Sequence, residues 1–100
     1  MRFNLEALRA IYGELLLPLA GAEAYASTPK EKRAEKAIEF VEGFIKQFES
    51  VGLPVTLSAA GVKEEQFEQI AQTAINDGAI IVNPIMATKE QVLQIFKSAF

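Results

Sequence analysis

Leu5, Leu8, Ile11, Tyr12, Leu15 and Leu16 recur at the three- and four-residue spacing that lines one face of an α-helix. Asn4 stands where it could cap that helix, with Phe3 and Leu8 placed as a hydrophobic staple. Gly13 weakens the helix, and Pro18, which lacks a donor, kinks or ends it. Residues 21–27 then read as the longest loop, although their alanines leave a further short helix open. The next signal is Thr28-Pro29-Lys30-Glu31, a cap, a first-turn proline and a capping-box glutamate. It opens a helix whose buried stripe is Ala34, Ala37, Ile38, Val41, Phe44, Ile45 and Phe48. Gly52 suits the left-handed residue that closes it, and Pro54 prevents its continuation.

Leu53-Pro54-Val55-Thr56-Leu57 is a short apolar link, either extended or packed on a neighbouring helix, and Gly61 provides a turn. A third helix is expected from about Glu64 to Asn76, packing through Phe67, Ile70, Ala71, Ala74 and Ile75. Asn76-Asp77-Gly78 reads as its C-terminal cap, followed by a short extended piece over 79–82. Thr88-Lys89-Glu90-Gln91 is a second capping box and starts a last helix with Val92, Leu93, Ile95, Phe96 and Phe100 inward. The expectation is all-α: about four main helices in one unit, without a repeat or a flexible linker.

Composition removes most chemistries. The 100 residues contain no Cys and no His, and Asp77 is the only aspartate. Thiolate and imidazole metal sites, disulfides and serine–histidine hydrolase machinery therefore lack their components. Glu39 with Glu42 and Glu64 with Glu65 are near each other in sequence, but their positions fit a solvated face and a helix start. The six glycines form neither G-x-G-x-x-G nor a phosphate-binding loop with its lysine. Gly43, inside the second helix, is a candidate for close helix contact. Tyr12 and Tyr25 read as packing residues with satisfied hydroxyls. Asn83 before Pro84 either terminates backbone structure or presents its amide to a cleft.

Ten basic and thirteen acidic residues give a formal charge of −3, which disfavours nucleic acid as a partner. Leu15-Leu16-Leu17-Pro18-Leu19 is too short for a membrane span, so no membrane partner is expected and the cytoplasm is the default compartment. Half the residues are hydrophobic, a large share for a chain of this size, so some helix faces are expected to require another domain or subunit.

Several segments in order carry a resemblance: Met1-Arg2-Phe3-Asn4, then Val51-Gly52-Leu53-Pro54-Val55-Thr56-Leu57 with Gly61-Val62, then Asn76-Asp77, Asn83-Pro84 and Thr88-Lys89-Glu90. Together they resemble the C-terminal part of the iron-containing alcohol dehydrogenases, the group that includes lactaldehyde reductases and 1,3-propanediol and butanol dehydrogenases. The resemblance implies the helical C-terminal domain of the dehydroquinate synthase-like fold. In that family a nucleotide-binding α/β domain precedes the helical one, and an Asp and three His hold iron, or sometimes zinc, beside NAD(P). The metal polarises the alcohol or carbonyl oxygen while hydride passes to or from the nicotinamide. None of those four ligands maps onto this chain, and neither does the nucleotide domain. Residues 1–100 are thus expected to be a partial C-terminal all-α domain without catalytic, cofactor-binding or metal residues of its own.

By the same resemblance Ala79, Asn83 and Ile85 are candidates for the wall of the substrate cleft. Ile85 stands where Arg is common, and Ala79 where some relatives have Cys, which removes a charge and a thiol. The implied partner is the missing N-terminal portion of the parent enzyme, with a homo-oligomer as a further candidate. The rival reading is an independent helical protein-interaction or regulatory module. It predicts cooperative unfolding without a broad exposed apolar face.

Overall fold

The computed structural model describes all residues 1–100 and is entirely helical and irregular. Its four α-helices are α1 (Leu5–Ser27), α2 (Arg33–Glu49), α3 (Phe67–Asn76) and α4 (Lys89–Ser98). The fold is the all-α one expected for the C-terminal helical domain of the family. None of the helices is long and apolar enough to cross a membrane. Packing is organised in two compact units, Met1–Val51 and Gly52–Phe100, where the short connections predict one.

In the first unit α1 and α2 pack through Tyr12, Ala34 and Ile38, with Leu5 and Leu8 against them. Leu16 and Ile38 are its largest fully enclosed side chains. Gly13 is buried where α1 meets the start of α2, and a Cβ there would lie 3.5 Å from the Cβ of Arg33, an ordinary contact distance. Gly43, the position expected to allow close contact, has open space around it.

Helical residues continue past Pro18. The break falls at Gly21, whose φ of 87° and ψ of 169° are far from helical. Beyond it a short helical segment replaces the expected loop, held by the Tyr25 hydroxyl donating to the Glu14 carboxylate at 2.9 Å. Arg33 lies over the Tyr25 ring, 3.7 Å from its centroid, and its Nε donates to the carbonyl of Thr28. This cation–π stack and hydrogen bond anchor the turn.

Two expected N-caps are not formed. Asn4 makes no capping bond, because a 3-10 turn at Arg2–Asn4 precedes α1. Thr28 does not open α2: its hydroxyl donates to the carbonyl of Ala24 at 2.6 Å and so closes α1. A 3-10 turn at Lys30–Lys32 intervenes before α2. Gly52 has φ 83° and closes α2 as expected.

Charge pairs fasten the hairpin. Arg2 Nε and Nη2 each donate to a Glu42 carboxylate oxygen at 2.6 Å, and Arg9 bonds both Glu35 and Glu6. The hydrogen bond from Arg2 holds the Glu42 carboxyl below its ordinary value of 4.5, and that from Arg9 does the same for Glu35. A depressed folded-state value means stability that is present above the unfolded-state value and lost as pH falls through the folded one. The urea midpoint followed by tyrosine fluorescence should therefore drop as the pH is lowered below 4.5. Glu42→Gln should flatten that slope at low salt, and an unchanged slope would show that the Arg2 pair contributes nothing.

The second unit starts with an irregular segment that contains a helical turn the apolar link conceals. The hydroxyl oxygen of Thr56 accepts from the amide of Ala59, and the amides of Gly61 and Val62 donate to the carbonyls of Ser58 and Leu57. With Gly61 at φ 85°, this is a Schellman closure. The amide of Leu57 donates to the carbonyl of Ala99 at 2.8 Å, which ties the segment to the end of α4. The α3–α4 pair packs on Phe67, Ala71 and Val92, while Ile70 and Ile95 remain partly exposed. Phe67 meets the rings of Phe96 and Phe100 with centroids 5.8 and 5.4 Å away. Lys89 pairs with Glu68 at 2.7 Å across the helices.

Candidate functional site

The cleft-wall candidates lie on the α3–α4 connection, an uncharged run from Gly78 to Ala87. Gly78–Val82 is a 3-10 turn rather than the extended piece expected there. The reason is local: the Asp77 side chain accepts from the amide of Ala79 at 2.7 Å, which turns the chain immediately. Asp77 itself is extended and Gly78 has no positive φ, so α3 ends without the left-handed cap read from Asn76-Asp77-Gly78. The amide of Asn83 then donates to the carbonyl of Ile80 at 3.1 Å.

Ala79 is exposed, whereas Asn83 and Ile85 are half-buried. The Asn83 side-chain amide donates to the carbonyl of Ile85 at 2.6 Å, bridging Pro84. That bond links two of the three candidates and gives Asn83 a part in shaping the loop. At the far end Thr88 accepts from the amide of Gln91 at 3.3 Å, and Gln91 accepts from the amide of Thr88 at 2.9 Å. The predicted capping box is present.

The most prominent side chains on this loop are ones that the sequence reading does not single out. Ile81, Val82 and Met86 are 74%, 84% and 71% exposed. Their only sequence signal is an apolar run with neither helical nor alternating period and no charge.

An open groove of about 440 Å³ lies in the first unit between Ser27 and Glu39, and none of the three candidates lines it. Its charged groups are Lys32, Glu35, Lys36 and Glu39. Lys36 and Glu39 pair at 3.4 Å. Glu35 is held ionised by Arg9, which makes it a poor proton donor, and its second carboxylate oxygen is buried without a protein partner. Elsewhere Glu42 is taken by Arg2, and Glu64 and Glu65 are exposed at a helix start. The paired carboxylates thus do not share a dry cleft.

The donor set does not fit an iron centre. The chain has no imidazole or thiolate, and no three Asp or Glu side chains are grouped so as to hold a metal ion. Tyr12 is buried in the α1–α2 core, and the Tyr25 hydroxyl is bonded to Glu14.

Residues 1–100 match the model of the Fe-containing alcohol dehydrogenase family, C-terminal. The chain is 35% identical over 78 residues to Dehydrogenase ALT3 of Alternaria alternata, covering 78% of this chain and 20% of that protein. It is 41% identical over 51 residues to Alcohol dehydrogenase 4 of Saccharomyces cerevisiae, covering 51% of this chain and 13% of that one. Identity to the NAD-dependent methanol dehydrogenase of Bacillus methanolicus is 39% over 66 residues, 66% of this chain and 16% of that one. The matched stretches thus span a fifth or less of these relatives. No solved structure matches the chain significantly. The chain belongs to the Fe-containing alcohol dehydrogenase family and corresponds to its C-terminal region.

Proposed function

We propose that this chain serves as the C-terminal helical portion of an NAD(P)-dependent, iron-type alcohol dehydrogenase, a structural and cleft-lining element without turnover of its own. The observation that carries the reading is the match of residues 1–100 to the family's C-terminal model, in a chain whose donor set cannot build the family's metal centre. The activities for which its relatives are named, alcohol and methanol dehydrogenation, supply the reaction class for the parent. The rest of that parent polypeptide is the partner, and the nucleotide-binding domain and metal ligands reside there.

In this role Ala79, Asn83 and Ile85 form part of the cleft wall. Asn83 holds the loop's shape through its bond to Ile85, while Ala79 and Ile85 present apolar surface without the charge or thiol found in some relatives. An apolar wall excludes water from the reacting carbon and favours an uncharged alcohol or aldehyde.

The test uses the purified chain, incubated anaerobically with Fe(II) or with Zn(II), then dialysed and assayed with ethanol, methanol and 1,3-propanediol in the presence of NAD+ or NADP+. Neither stoichiometric metal nor alcohol-dependent reduction of the nicotinamide is expected. Tight one-to-one metal together with turnover would overturn the proposal.

A further inference from the structure

Helix α2 carries one apolar stripe along its length, but only its first half is covered. Ala34, Ala37 and Ile38 are at most 1% exposed, whereas Ile45, Phe48 and Val51, which continue the stripe at helical spacing, are 43%, 40% and 72% exposed. The cause is the register of the hairpin. Gly13 faces Arg33 and Ala34, Arg9 pairs with Glu35, and Arg2 pairs with Glu42. Residue numbers therefore rise along α2 as they fall along α1, and Arg2, in the turn just ahead of α1, lies level with Glu42. From there α2 runs on to Glu49 for roughly 10 Å, at 1.5 Å per residue, and Val51 follows in the turn beyond its end.

The stripe does not end where its cover ends. Phe44 and Phe48 also stand edge to face, 5.3 Å between centroids, so the overhang presents a ready aromatic surface. A helix that faced only water there would carry polar residues at these positions.

We infer that this overhang, Ile45, Phe48 and Val51 with Phe44 beside them, is the docking surface for the stretch of parent polypeptide that leads into Arg2. The inference rests on the reading of the chain as part of a longer enzyme, and it names the face that the remainder covers. The occupant is an apolar, helix-forming segment of about seven residues that prolongs α1 antiparallel to α2. Register fixes this choice: a segment entering through Arg2 already has its direction set by the Arg2–Glu42 pair. The relatives supply the length, since four fifths or more of each lies outside the matched region.

The test adds two helical turns ahead of Met1, with leucines placed to face Ile45 and Phe48, and compares them with a Gly-Ser extension of equal length. Urea unfolding by tyrosine fluorescence and binding of the dye 1-anilinonaphthalene-8-sulfonate are the readouts. The leucine extension should raise the folded-to-unfolded ratio about tenfold or more, the scale of completing the burial of two half-covered apolar side chains, and should reduce dye fluorescence. Phe48→Asp should abolish the gain, with the unextended variant still unfolding cooperatively in urea as the control. Val82→Asp, in a separate exposed apolar segment, should leave it intact. Equal gains from both extensions, or a gain that survives Phe48→Asp, would overturn the inference. So would a dimer of the unextended chain that Phe48→Asp dissociates, because the occupant would then be a second copy. These readouts report packing alone, so their failure is distinguishable from unexpected metal binding and alcohol turnover, which would overturn the functional reading.

Discussion

Leu16→Ala is expected to destabilise the Met1–Val51 unit by about 2–5 kcal/mol, the range for deleting a buried leucine side chain. Leu16 is fully enclosed and, with Ile38, is one of the two largest side chains that are. Alanine favours the helix more than leucine does, so any loss reads out the cavity and not α1's intrinsic propensity. A domain has only about 5–15 kcal/mol to lose, and a two-helix unit sits toward the bottom of that range. The substitution should therefore leave a substantial unfolded population without denaturant. Tyrosine emission is the direct measurement, because Tyr12 and Tyr25 are the chain's only tyrosines and both lie in this unit. Leu16→Met, which nearly conserves volume, should cost less than about 1.5 kcal/mol. Equal effects of the two substitutions would mean that cavity formation is not the cause.

Phe67→Ala should be at least as damaging to the second unit, about 3–5 kcal/mol. Helices α3 and α4 have ten residues each. Isolated helices shorter than about 12–15 residues are marginal in water, so these two depend on what they pack against. Phe67 is the centre of that packing, buried and in contact with the rings of Phe96 and Phe100. Amide hydrogen exchange along α3 and α4 should accelerate together. Phe67→Leu restores apolar bulk without the ring edges and should recover most of the loss, leaving a deficit of about 1 kcal/mol for the aromatic contacts. Retained protection of α4 in Phe67→Ala would remove Phe67 from its central role.

The four helices were legible because their apolar spacing is strong, and the second capping box because Thr88 and Gln91 stand three residues apart directly before an apolar-periodic run. Thr28 was misread for the opposite reason. One hydroxyl had two helix ends within reach, and only the folded geometry selects the carbonyl of Ala24. Gly13 and Gly43 look alike in sequence, and which of them meets the facing helix depends on where that helix crosses. The exposure of Phe44, Ile45 and Phe48 was hidden similarly, since periodicity marks a face as apolar but not whether anything lies opposite it. On the α3–α4 connection, resemblance draws attention to Ala79, Asn83 and Ile85, while the projection of Ile81 and Val82 accompanies the turn that Asp77 starts.

That turn has an evolutionary corollary. Asp77, Asn83 and Thr88 fasten the loop to its own backbone, so its path is set by three polar residues and not by the apolar side chains it displays. Ile81, Val82 and Met86 can therefore be exchanged for larger, smaller or polar side chains with little disturbance of the main chain. Form and surface chemistry are thus specified by different residues here, so substitution can alter one while keeping the other.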